Sequence, residues 1–175
     1  MKLDLARIPG LPLRAGSYLI WQTFGSVLVN GAISFAFAWP MRHAPVIPAF
    51  GGVGSASLDT CLTAVLLSAF TVIIGTRVVK QDERIGVVRP LPRSHREYAL
   101  LRRLPVRTGP RALLFAAIFS ATGIPLGLAA LALLGVGSMT FVQFATFKVL
   151  YACVLGVVVT PLNAALALSP DSAKA

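Results

Sequence analysis

Acidic residues are scarce in this chain and missing from the middle of every long apolar stretch. Six Asp and Glu stand among 175 residues, at Asp4, Asp59, Asp82, Glu83, Glu97 and Asp171. A small multidrug exchanger that runs on a carboxylate deep in the membrane needs one there, so this scarcity argues against that class. Histidine is rarer still. His43 and His95 both lie outside the apolar stretches, where neither can act as base to a serine or cysteine within one. The two cysteines, Cys61 and Cys153, fall inside apolar stretches and lack zinc-site spacing, so they read as small buried hydrophobes. No H-E-x-x-H, G-x-S-x-G or P-loop pattern occurs. The run Gly51-Gly52-Val53-Gly54 lacks the Lys and Ser/Thr that a phosphate loop requires, and reads as a turn. Neither an enzyme nor a cofactor is expected, and no metal set is present in the pattern.

Charge of either sign is thin. Charged residues make up 13% of the chain and hydrophobic ones 56%, whereas globular domains carry about 25% charged residues spread along their length. What charge there is stands in one block. Ten of the sixteen Lys and Arg lie between Arg77 and Arg111. In a soluble chain a pI near 10.9 would suggest nucleic acid. Between long apolar stretches the same block marks a cytoplasmic loop and attracts anionic lipid headgroups, so no nucleic-acid partner is expected.

Four apolar stretches predict an all-α integral membrane bundle in a single domain over 1–175. The expected spans are 19–39, 57–79, 112–134 and 141–168, with a basic cytoplasmic loop over 80–111. Trp21 and Trp39 bracket the first span at roughly 27 Å of helix, close to the hydrocarbon thickness of about 30 Å. A signal peptide ending at Ala36-Phe37-Ala38 is the rival reading, but the apolar run before it is too long, so the segment is expected to be retained. Residues 40–56, with three prolines and three glycines, form an irregular outer loop, and 135–138 a tight outer turn. Ser57 is placed to cap the second helix. Pro125 predicts a kink in the third, between Gly123 and Gly127, whose spacing admits a close neighbour. Fourteen Lys and Arg then lie inside, with both termini cytoplasmic. The reading is a multi-pass protein in a lipid bilayer.

Within the basic loop, Ser94-His95-Arg96-Glu97 has capping-box form, and Pro105 ends any helix that begins there. A helical projection sets Tyr98, Leu100, Leu101 and Leu104 opposite Arg96, Arg102 and Arg103. That is either a short amphipathic helix on anionic headgroups, with those three arginines as the contacts, or an ordinary connector whose leucines pack on the bundle.

Three polar residues are candidates for a site in the membrane: Asp59, Lys148 and Asn30. If the fourth helix enters near Thr140, Lys148 lies roughly 12 Å deep and needs a partner, the nearest in depth being Asp59. The sequence favours the alternative, in which the helix enters lower and Lys148 snorkels to the outer interface. Asn30, central in the first span, needs a partner across helices and reads as structural glue more than as a substrate ligand.

The stretch Phe147-Lys148-Val149-Leu150-Tyr151, running on to Thr160-Pro161-Leu162, resembles the last helix of small uncharacterised bacterial four-helix membrane proteins, some loosely called permeases. The resemblance implies a bacterial inner-membrane location. It implies no substrate and no catalytic residue. Two function classes remain as expectations. One is permease-like transport of a small solute or ion by a homo-oligomer, since four helices enclose little space alone. The other is a non-transporting partner subunit, or an organiser of anionic lipid acting through the basic loop. The threading has a direct check. Reporter fusions at Ser94 and at the C-terminus should both read cytoplasmic and one at Gly52 external, and an external signal at Ser94 would overturn it.

Overall fold

The computed structural model describes residues 15–89, 105 and 107–168. Four long helices account for most of them: α1 (Ala15–Ala38), α2 (Ala56–Arg84), α3 (Thr108–Leu133) and α4 (Phe141–Ala167). All four are long and apolar enough to cross a membrane. They match the four apolar stretches of the sequence, with two shifts at the basic end. α2 runs on to Arg84 and α3 already begins at Thr108, so both ends of the expected 80–111 loop are helical. The capping-box helix and Arg96, Arg102 and Arg103 lie outside the described residues.

The helix starts are set by local chemistry. Ser55, not Ser57, caps α2: its side chain accepts from Leu58 N, and Ser57 Oγ lies 3.1 Å from Ser55 Oγ. α4 begins with a capping box in which Thr140 and Gln143 satisfy each other's backbone N–H. That box fixes the fourth helix at Phe141, a register the long apolar stretch left open. Pro125 and Pro161 lie within α3 and α4, and both helices continue through them.

At the end where α2 and α4 start, the two connections are not independent loops. A 3-10 turn (Trp39–His43) comes after α1. Beyond it β1 (Ile47–Pro48) pairs antiparallel with β2 (Ser138–Met139), Ile47 opposite Met139 and Pro48 opposite Ser138. This short ribbon, with Ala49 N donating to Gly137 O at 3.0 Å, clasps the two hairpin ends together. Beneath it Ala38, Ile47, Ala56, Leu131, Met139, Phe144 and Ala145 form one buried cluster. The clasp holds the first turns of α2 and α4 side by side, so these two helices run parallel.

Packing departs from a pair of simple hairpins. α1 and α2, though consecutive, meet little. α1 packs on α4, α4 on α2, and α2 on α3, so α4 lies between α1 and α2. The reason is visible in α2. Its buried residues other than Thr71, namely Ala56, Thr60, Ala64, Ser68, Val72, Thr76 and Val79, recur almost every fourth position and are mostly small. Such a ridge lets a neighbouring backbone come close. On α3 the facing positions are Gly123 and Gly127. A Cβ on Gly127 would stand 2.6 Å from Thr60 Cγ2 and 3.0 Å from Tyr151, so only glycine fits there. Outward, the bundle is apolar, with Trp21, Phe24, Phe37, Leu113, Leu126 and Val142 among its most exposed residues.

Candidate functional site

Polar side chains inside this bundle are few, and they gather along the contact between α2 and α4. At the clasped end, Lys148 Nζ donates to Asp59 Oδ1 across 89 positions of sequence. Both side chains lean toward the N-terminal ends of their helices, as helical side chains do, and the parallel start of α2 and α4 puts them on facing stripes. Lys148 is 6% exposed and Asp59 22%. The lysine is therefore directed at Asp59 rather than reaching out to an interface, which is the reading the sequence had favoured. The Phe144 ring lies 5.8 Å from Nζ and covers the cation from one side. In an apolar surround neither charge stands well alone, and pairing is what makes their burial tolerable.

A second polar layer lies toward the other end of the same contact. Thr76 Oγ1 donates to Asn163 Oδ1 at 3.1 Å, and Asn163 Nδ2 donates to the carbonyls of Val72 (3.4 Å) and Thr71 (3.5 Å). Gly75 permits this approach, since a Cβ there would stand 3.0 Å from Asn163 Nδ2. Arg111 Nη2 donates to Thr76 Oγ1 at 2.6 Å. Arg111 is 1% exposed and belongs to the first turn of α3. The expectation that it is one more cation of a solvated loop is thus corrected: it reaches into the bundle and closes the Thr76–Asn163 layer. Among the described residues no carboxylate pairs with it, and its Nε is buried without a hydrogen-bond partner. Beyond this layer, Tyr18 donates to Asp82 Oδ2 at 2.7 Å and ties α1 to α2.

Asn30 is not part of either layer. Its Nδ2 donates to Ser26 Oγ at 3.3 Å on its own helix, and Thr160 Oγ1 bonds Ser26 Oγ at 2.7 Å from α4. Gly156 makes room for the Asn30 amide, since a Cβ there would stand 2.8 Å from Nδ2. This set joins α1 to α4, apart from the Lys148–Asp59 contact. Of the three candidate residues, the structure therefore brings Asp59 and Lys148 together and holds Asn30 apart. Among the described residues no three His, Cys, Asp or Glu side chains gather as a metal ion would require. Cys61 and Cys153 are unbridged.

Together these contacts define an all-helical bundle of four membrane-length helices, pinned by one buried ion pair and one buried hydrogen-bond layer. The chain matches no model of a known protein family, no curated protein and no solved structure.

The pairing predicts a specific thermodynamic cycle. Lys148→Met and Asp59→Asn should each lower stability in detergent by about 3 kcal/mol, the low end for breaking a buried pair because Asp59 keeps some exposure. The double variant should recover most of that loss. Two losses that simply add would show that the groups do not support one another.

Proposed function

We propose that this chain is a multi-pass protein of the bacterial inner membrane, with both termini cytoplasmic, and that it carries a small ion or solute in permease-like fashion. The membrane assignment is supported by four helices of sufficient length and apolarity and by an outer surface of exposed aromatic and aliphatic side chains, which a soluble monomer avoids. The orientation rests on the concentration of Lys and Arg between α2 and α3 by the positive-inside rule.

The observation that carries the transport reading is the Asp59–Lys148 pair. Ionisable groups inside a membrane bundle are costly and mark ion or substrate routes. This pair can also change state. Asp59 is the more exposed member, so a cation arriving from the clasped end meets the carboxylate first. A proton or monovalent cation on Asp59 would displace Lys148 as its partner and loosen α2 from α4 at that end. Apart from Lys148 itself, the described residues place no second fixed charge on this carboxylate, so at that end no other ion pair joins the two helices.

The second reading, a non-transporting partner subunit or an organiser of anionic lipid through the basic loop, draws on α1. This helix packs on α4 and leaves Ile20, Trp21, Phe24 and Leu28 on its outer face, a surface another membrane protein can use. The readings separate in reconstituted liposomes. Under a potassium diffusion potential, the purified protein should admit protons or alkali cations faster than protein-free liposomes allow. Asp59→Asn should cut that rate by about tenfold or more, a barrier change of about 1.4 kcal/mol. Rates equal to those of protein-free liposomes for both would contradict ion carriage and leave the second reading.

A further inference from the structure

A hydroxyl inside an apolar helix bundle ordinarily satisfies itself by donating to the carbonyl four residues back on its own helix. Thr23 and Thr60 do so, onto Leu19 O and Ala56 O at 2.7 Å each, and the exposed Thr122 does the same onto Ile118 O at 3.0 Å. Thr76 and Thr160 donate across helices instead, and among the described residues three buried hydroxyls do neither. Ser68 Oγ, Ser120 Oγ and Tyr151 Oη have no hydrogen-bond partner, although the same backbone solution is open to both serines. Tyr151 has no such solution, because its rigid ring carries the hydroxyl away from its own helix.

The three belong to one place. The buried stripe of α2 steps from Ala64 to Ser68, and on α3 Ser120 lies one turn before Gly123. These stripes run antiparallel in contact: Gly127 faces Thr60, Gly123 faces Ala64, and Arg111 bonds Thr76. Ser68 and Ser120 therefore form the layer next to the Ala64–Gly123 contact. From α4, Tyr151 brings its hydroxyl to 3.1 Å from the point where a Cβ of Gly123 would stand. Hydroxyls from three helices thus occupy adjacent layers of the junction of α2, α3 and α4. They lie between the Asp59–Lys148 pair and the Arg111–Thr76–Asn163 layer.

Unpaired buried hydroxyls are costly, and native interiors satisfy nearly all of them. A buried water typically makes about three hydrogen bonds to groups that have no other partner. We propose that Ser68, Ser120 and Tyr151 form an internal water-binding site at the junction of α2, α3 and α4. Its water extends the polar line between the two charged layers. The site does not depend on the transport reading, and a bundle that carries nothing would hold the same water.

Two measurements on the full chain in lipid nanodiscs test it. Radiolytic hydroxyl labelling in ¹⁸O water should modify Tyr151 faster than Phe115 and Phe144, aromatic side chains buried in the same bundle. Tyr151→Phe, which keeps the ring and removes only the hydroxyl, should lower the melting temperature by about 2–4 °C through loss of one hydrogen bond. In a dry site the same substitution removes an unsatisfied group, and the melting temperature stays level or rises. Either that result, or labelling of Tyr151 no faster than of the two phenylalanines, overturns the proposal.

Discussion

Two opposite charges in an apolar bundle must find each other, and the rest of this architecture depends on where they do. Lys148 on α4 and Asp59 on α2 are joined near the start of both helices, so α2 and α4 must lie side by side and run the same way. The β1–β2 ribbon enforces the same geometry by tying together the chain segments that precede them. With α2 and α4 fixed as parallel neighbours, α1 is left to pack on the far side of α4. α3, arriving through the basic connection, takes the far side of α2.

Apolar packing alone specifies register poorly in lipid, because hydrocarbon tails compete on equal terms with aliphatic side chains. Here register is set by polar contacts at separate heights. The ion pair fixes one end of the α2–α4 contact and the Thr76–Asn163 bond the other. Arg111 brings α3 into the second layer, and the Ser26–Thr160 bond does for α1 what Asn163 does for α2. Between these points small residues keep the helices close. Glycine at 75, 127 and 156 admits, in turn, the Asn163 amide, the Thr60 and Tyr151 side chains and the Asn30 amide. Hydrogen bonding and close packing thus support one another: each amide reaches its position because a side chain is missing opposite.

Much of this was legible in the sequence. Hydropathy alone located four helices to within a few residues, and the pairing of Asp59 with Lys148 was posed from depth. Choosing between a pair and a snorkelling lysine depended on where α4 begins, which the Thr140–Gln143 capping box decides. Arg111 was hidden by its company. Standing at the end of a run of ten cations, it reads as one more loop charge, and only the early start of α3 turns it inward. Asn163 and Thr76 are 87 positions apart, and no local period links them. The four-residue spacing of small residues on α2 was in plain view, but a membrane-length stretch rich in Ala, Ser and Thr offers several such stripes, and which one is buried depends on the neighbours. Two-residue strands are too short to show alternation, so the ribbon left no trace. Helix order in the bundle was unreadable for a related reason: every span has an apolar surface, and periodicity does not name its partner.

The central claim is that α4 stands between α1 and α2, and the two native cysteines can report on it directly. Cys153 lies on α4 and Cys61 on α2. A Cβ built on Gly31 of α1 would stand 3.4 Å from Cys153 Sγ, within the reach of a disulfide. Gly31→Cys should therefore, on mild oxidation in membranes, link within one chain to Cys153, recovered as a single cross-linked peptide pair by mass spectrometry. Linkage to Cys61 instead, or to neither cysteine, would contradict the packing of α1 on α4 that follows once the ion pair sets α2 and α4 side by side.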